Sequence, residues 1–233
     1  MDSRLRLDNY TFLCYITRMI IGITGLIGSG KDTAADYLCT FHGFKRMSFA
    51  SALKDAVAAI FDWDRELLEG STKASREWRE QVDEWWAARL NIPHLTPRWV
   101  LQQWGTEVAR KGFHNDIWVA SVENKLRNIK EDIVITDCRF PNELNAIKNT
   151  GGITIRTQRG PEPEWIPEAI IYTQKSQAGL DKREYIGHQL VLEIDYGVHA
   201  SEYSSVGLDY DFILDNNGTI DSLHQQIESI INR

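Results

Sequence analysis

The sequence predicts an α/β protein with a mainly parallel five-stranded sheet flanked by helices. Three features predict it: short apolar runs alternating with helical periodicities, a glycine-rich turn directly behind the first run, and a Trp- and Arg-rich stretch without strand patterning that interrupts the alternation. Ile20 to Ile23 reads as a buried strand. Residues 31–41 carry Ala34, Ala35, Tyr37, Leu38 and Phe41 at helical spacing, Phe44 to Phe49 reads as a second strand, and Ala50 to Phe61 places Leu53, Ala56, Val57 and Ile60 on one helical face. Residues 74–90 and 97–128 predict helices of an insertion that spans about 65–128. The alternation resumes with a strand at Ile133 to Thr136, a helix at Asn142 to Asn149, strands at Gly152 to Thr157 and Tyr210 to Leu214, and a closing helix at Ile220 to Ile231. Residues 161–197 form an excursion of undefined shape: Pro161, Pro163 and Pro167 break regular structure, and Gln189 to Ile194 fits either a strand or a helix.

A chain of 233 residues, 42% of them hydrophobic, is long enough to bury one substantial core, so residues 19–233 are read as a single domain. Residues 1–18 contain Arg4, Arg6, Arg18 and a short apolar run without a following cleavage site; they are read as an extension ahead of the fold, with an extra edge element as the alternative. The net charge of −7 argues against a nucleic-acid-coating protein, which needs a basic face to displace counterions. No apolar stretch is long enough to span a bilayer. Cys14, Cys39 and Cys138 resemble neither a disulfide framework nor a zinc site, and a reducing cytoplasm is the expected location. The histidines show no metal-ligand spacing.

The run Gly25-Leu26-Ile27-Gly28-Ser29-Gly30-Lys31-Asp32-Thr33 has the spacing of a Walker A loop between a strand and a helix, which narrows the predicted fold to that of a P-loop NTPase. Gly25, Gly28 and Gly30 let the backbone curl so that its N–H groups face phosphate oxygens, the helix starting near Lys31 adds its positive end, and Lys31 supplies a full charge. Thr33 offers a hydroxyl. Asp32 stands where Ser or Thr normally binds Mg²⁺; a carboxylate there either holds the metal through water or orients the phosphoryl acceptor, and the loop alone does not choose.

A phosphate loop serves kinases and hydrolytic switches alike, so other residues must decide between them. In the insertion, Arg76, Arg79, Arg98 and Arg110 are interleaved with Trp78, Trp85, Trp86, Trp99, Trp104 and Trp118. Arginine forks bind phosphates and indoles stack on bases, although most such tryptophans are core residues and most such arginines lie on solvated faces. The third strand ends in Asp137-Cys138-Arg139, at the carboxyl edge where open α/β sheets bind ligands. There Asp137 is a candidate for Mg²⁺ or a substrate hydroxyl, Arg139 for a phosphate, and Glu143 lies one helical turn on; a simple Asp137–Arg139 pair is the plainer reading.

These segments resemble the phage-type deoxynucleoside monophosphate kinases. The loop carries that family's Gly-Lys-Asp-Thr ending. Lys54, Arg76 after Glu69-Gly70, Arg98 ahead of Gln103-Trp104-Gly105-Thr106, Trp118 in Asp116-Ile117-Trp118-Val119, and Asp137-Cys138-Arg139 with Glu143 fall where the family places substrate contacts; Arg159-Gly160, His199 to Glu202 and Asn216-Asn217-Gly218 are similar to its carboxyl-terminal features. The resemblance implies a nucleoside monophosphate kinase fold with the insertion binding substrate, and ATP with Mg²⁺ as donor. It further implies a deoxynucleoside monophosphate as acceptor, a homodimer, and work in the cytoplasm of an infected bacterium. It implies catalytic roles for Lys31, Asp32 and Arg139, and substrate contacts from Lys54, Arg76, Arg98, Gly105, Thr106, Trp118, Asp137, Arg139 and Glu143. Other P-loop kinases of small molecules, similar to dephospho-coenzyme A kinase or phosphomevalonate kinase, and a hydrolytic nucleotide switch are the rival readings. Where the family can carry basic side chains in its phosphate loop, this chain has Ile27 and Gly28.

Overall fold

A computed structural model of the chain describes residues 18–233, so the reading of the amino-terminal extension falls almost wholly outside the described residues. Five parallel strands, β1 (Ile20–Thr24), β2 (Lys45–Met47), β3 (Ile133–Ile135), β4 (Ile153–Gln158) and β5 (Phe212–Asp215), pair in the order β2-β3-β1-β4-β5. β1 and β3 are wholly buried, which explains their unbroken apolar sequences. The chain runs from β1 out to one edge and then returns to build the other side, so β1 stands at the switch point and its carboxyl end opens into the crevice.

Helices α1 (Lys31–His42) and α11 (Ile220–Ile231) cover one face of the sheet, where Ile21, Ile23, Leu38, Leu214, Leu223 and Ile227 form a core. Helices α6 (Ile117–Leu126) and α7 (Pro141–Asn149) cover the other, through Val119, Val122, Leu144 and Ile147. β2 is shorter than the predicted Phe44 to Phe49 and keeps only its middle, because Ser48 and Phe49 leave the ladder to start α2 (Ser51–Phe61).

Between β2 and β3 the insertion is helical, as its sequence predicts: α3 (Lys73–Arg79), α4 (Glu84–Leu90), and α5 (Pro97–Gln102), which runs directly into a π-helix at Gln103–Lys111. Side-chain oxygens of Thr72, Asp83 and Thr96 cap the first three of these helices. Trp63 lies in their core, and Trp78, Trp86, Trp99, Trp104 and Trp118 pack against it, while Trp85 is exposed, so the indoles serve mainly as packing.

The stretch of undefined shape is also helical, with α8 (Ile166–Gln177) and α9 (Ile186–Leu190) continued by a π-turn at Val191–Asp195, and α10 (Ala200–Tyr203) follows directly behind it. Pro167 lies in the first turn of α8, where its missing N–H costs nothing, so it starts the helix instead of breaking one. Gln189 to Ile194, which fitted either period, is helix. Among the described residues no helix is long and apolar enough to cross a membrane.

Candidate active site

The turn after β1 curls as its glycines require. Gly25, Gly28 and Gly30 have φ of 145°, 79° and 99°, values that disfavour any side chain. No side chain caps α1, so its first N–H groups stay available to an anion. The loop is braced from behind: Ser29 Oγ and Thr157 Oγ1 lie 2.7 Å apart, and Asn216 Nδ2 donates to Ser29 O at 2.9 Å. A methyl group on Gly30 would strike that Asn216 amide. Lys31 Nζ donates to Gly25 O and Leu26 O, each at 2.8 Å. Burial lowers the Lys31 pKa, the nearby charge of Arg139 lowers it further, and Asp32 and Glu202 act in the opposite direction.

Asp32 and Thr33 are exposed in the first turn of α1. Thr136 Oγ1, at the end of β3, donates to Asp32 Oδ1 at 3.2 Å, and Arg46 reaches the Asp32 carbonyl at 2.9 Å. Arg139 approaches from the same strand end, its Nη1 donating to Glu202 Oε1 at 2.6 Å and to Ser201 O at 3.3 Å. Burial works against its charge, but Glu202, with Asp137 and Glu143, outweighs this and the pKa is raised.

From Arg139 the positive charge continues into the insertion. The Arg79 pKa is lowered by burial first and then by Arg98, with Arg139 and Arg76 adding to the effect and Glu80 opposing it. Arg98 pairs with Glu80, and Arg76 Nη1 donates to Ser71 O at 3.1 Å. Arg139 thus stands within electrostatic reach of Lys31 on one side and of Arg79 on the other, and Arg79 in turn feels Arg98 and Arg76.

Several of the candidate residues have their polar groups engaged within the protein. Lys54 is mostly buried and donates to Glu69 Oε2 at 2.5 Å, while Arg65 holds the other Glu69 oxygen at 2.5 Å. Burial would raise the Glu69 pKa; the bonds from Lys54 and Arg65 reverse that and leave it lowered. Asp137 does not pair with Arg139. It accepts from Ser48 Oγ at 2.6 Å, Phe49 N at 3.0 Å and Ala50 N at 2.9 Å, and so fixes the entry to α2. An Asp137→Ala variant is expected to lose roughly 1–3 kcal/mol of stability through those orphaned donors, read as a lower urea midpoint; an unchanged midpoint would mean that they find water at no cost.

Glu143 is 3% exposed beneath the loop, where it accepts from Arg139 N at 2.7 Å and Phe140 N at 3.1 Å and pairs with Arg110. With its oxygens on these inward donors, Glu143 supports the loop that carries Arg139. Gly105 and Thr106 are buried, with Gly105 pressed against Leu53 and its carbonyl accepting from Trp118 Nε1 at 2.9 Å. These three pack the π-helix onto its neighbours. The sequence singled out the segments His199 to Glu202 and Asn216 to Gly218 but assigned no role to Glu202 as the partner of Arg139 or to Asn216 as a brace of the loop, since both pairings join segments far apart in the chain. It also left Arg79 unassigned, although Arg79 stands three residues after Arg76 on the same helical face.

A parallel sheet with the phosphate loop at its switch point, facing a cluster of basic side chains, defines a P-loop phosphotransferase. No family model matches the chain. A protein of Acanthamoeba polyphaga mimivirus, provisionally named a deoxynucleotide monophosphate kinase, is 34% identical over 153 residues, covering 60% of this chain and 74% of that protein. The deoxynucleoside-5′-monophosphate kinase of Escherichia phage T5 is 32% identical over 106 residues, covering 43% of this chain and 41% of the phage protein. Among solved structures, dephospho-CoA kinase from Campylobacter jejuni aligns over 93% of this chain and 97% of that one at 15% identity, with a TM-score of 0.36, a superposition too loose to argue from. The chain belongs to the deoxynucleoside monophosphate kinase family and is a phosphotransferase.

Proposed function

We propose that the protein transfers the γ-phosphoryl group of ATP in line to a deoxynucleoside 5′-monophosphate, giving the diphosphate and ADP without a covalent enzyme intermediate. The observation that carries this reading is the run of positive charge from Lys31 through Arg139 to Arg79, Arg98 and Arg76. A hydrolytic switch needs only to position a water, whereas this run suits a second anion placed at the tip of the triphosphate. The loop amides from Gly25 to Thr33 and the Lys31 ammonium hold the donor's outer phosphates. Arg139 bridges donor and acceptor and meets the charge that spreads over the migrating group, while Arg76 and Arg98 gather the acceptor.

Asp32 offers a largely exposed carboxylate beside the Thr136 hydroxyl, and such hard oxygen donors fit Mg²⁺. Among the described residues no three His, Cys, Asp or Glu side chains gather as a cage, so the phosphates themselves would supply most of the ligands, with Asp32 acting directly or through water. When bound, the ion supplies charge neutralisation at the outer phosphates. Trp118 and Lys54 act by shaping the wall of the acceptor cleft through Gly105 and Glu69. Family resemblance adds a homodimer and a cytoplasmic setting to this reading.

A coupled ADP-release assay across the deoxy- and ribonucleoside monophosphates tests the function. Turnover is expected only with a monophosphate present, and faster with deoxyribose. Slow ATP hydrolysis that no monophosphate stimulates would sink the reading, and preference for a different phosphate-bearing acceptor would move the chain to another P-loop kinase activity.

A further inference from the structure

The Gly70–Ser71 turn, between a short 3₁₀ segment (Leu67–Glu69) and α3, is the seat of two guanidinium groups. Gly70 has φ of 68°. Arg76 Nη1 donates to the turn's carbonyls, Gly70 O at 3.3 Å and Ser71 O at 3.1 Å. The Arg79 guanidinium lies so close to the Gly70 Cα that an added Cβ would overlap Nη2 and Cζ and stand 2.7 Å from Nε. Directly behind the turn α3 is pinned by a reciprocal cap, in which Thr72 Oγ1 accepts from Ser75 N at 3.1 Å and Ser75 Oγ accepts from Thr72 N at 3.0 Å. Turn and helix therefore present Arg76 and Arg79 from one rigid mount.

The pairing of the surrounding charges is uneven. Glu80 is taken by Arg98, Glu202 by Arg139, and Glu69 by Lys54 and Arg65. Among the described residues Arg79 has no carboxylate within salt-bridge distance; its Nη1 reaches only Leu68 O, at 3.5 Å, and its Nε is buried without a hydrogen-bond partner. A partly buried guanidinium with most of its donors unused, beside three further arginines, is an unfavourable arrangement for the protein alone. A planar fork with parallel free donors matches the oxygens of a phosphate.

We propose that Arg79 is the anchor for the phosphate monoester of the acceptor, and that Gly70 is the positioning residue whose lack of a side chain lets the guanidinium lie over the turn. The proposal rests on the phosphoryl-transfer reading above and names the group that takes the acceptor's anion. An arginine aimed at the donor would sit against the phosphate loop, whereas Arg79 is held by the insertion and meets the loop's lysine only through Arg139. A substituent at Gly70 would displace the end of a flexible side chain, so its effect should appear in ligand binding and should vanish once Arg79 is gone.

The experiment uses the full chain and its Arg79→Gln, Gly70→Ala and double variants. Calorimetry gives the affinity for a deoxynucleoside 5′-monophosphate, the matching unphosphorylated deoxynucleoside and inorganic phosphate; steady-state rates give KM for acceptor and ATP separately, and a thermal melt reports folding. Arg79→Gln is expected to weaken the monophosphate by about 10- to 100-fold and to leave the deoxynucleoside and the ATP KM unchanged. It is expected to melt no lower than the wild type, since it removes a charge without a partner. Gly70→Ala should shift in the same direction by less, and the double variant should bind like Arg79→Gln alone. Unchanged monophosphate affinity in Arg79→Gln, or a loss confined to ATP, overturns the anchor. Additive losses in the double variant overturn the role of Gly70. A wild-type chain that binds monophosphates and fails to phosphorylate them removes the functional reading while Arg79 is still judged by affinity; one that binds no monophosphate removes both.

Discussion

Replacing Lys31 by Met is expected to lower kcat by about 100- to 1,000-fold, the loss typical of removing one preorganised charge or donor from a developing anionic centre. The side chain emerges at the first residue of α1 and folds back over the loop, and its ammonium spans the Gly25 and Leu26 carbonyls. Those two bonds orient the charge above a ring of amides with no other cation on the loop itself. Methionine keeps the length and most of the packing of the stem while deleting the charge, so the melt should change little and the loss should fall on the chemical step. A single-turnover measurement with saturating ATP and the best monophosphate separates that step from binding. If the Met variant turns over at the wild-type rate, the phosphate loop has no part in catalysis and the proposed function falls with it.

Arg139 explains why the phosphate loop alone was not enough to read the site. Its place beside Asp137 at the end of β3 was legible, because ligands collect where parallel strands end and a charged residue there is unusual. The nature of its neighbours was not. Asp137 is drawn away by the β2–α2 turn, through donors from Ser48, Phe49 and Ala50 that lie nearly ninety residues earlier in the chain. Arg139 instead meets Glu202, which arrives on α10, just beyond the stretch whose prolines obscured its helices.

The sheet and its flanking helices were visible for a simpler reason: apolar periods of a central strand and of a helix differ, and α11 carries the same bounds in sequence and structure. The π-helix at Gln103–Lys111 was not visible, since a wider turn leaves no distinct apolar period over nine residues. That wider turn decides the fate of Gly105 and Thr106, which face inward, and of Arg110, which reaches the loop that carries Arg139.

Removing Arg110 is expected to cost about 3–5 kcal/mol of stability, because the change strands a buried acid whose partner is gone. The side chains of Arg110 and Glu143 are 5% and 3% exposed. Arg110 also donates to Asn115 O at 2.9 Å and lies over the Phe140 ring at 4.0 Å from its centre. Burial lowers the Arg110 pKa and pushes the Glu143 carboxyl from its ordinary 4.5 up to about 7, with Arg110 pulling it back. Because the folded Glu143 binds its proton more tightly than the unfolded one, its contribution to stability is full below about pH 4.5 and is lost as pH rises through about 7. Arg110→Leu should extend that loss to higher pH, since the opposing charge has gone, while Glu143→Gln should flatten the slope across the same window. Urea titrations at several pH values follow both effects. If the pair only balances its own desolvation, the Arg110→Leu/Glu143→Leu double variant should be more stable than Arg110→Leu alone. Its kcat should nonetheless fall, because Glu143 is also what accepts the Arg139 backbone N–H and holds that loop in register with Lys31. A double variant as active as the wild type would mean that Arg139 keeps its place without the buried pair.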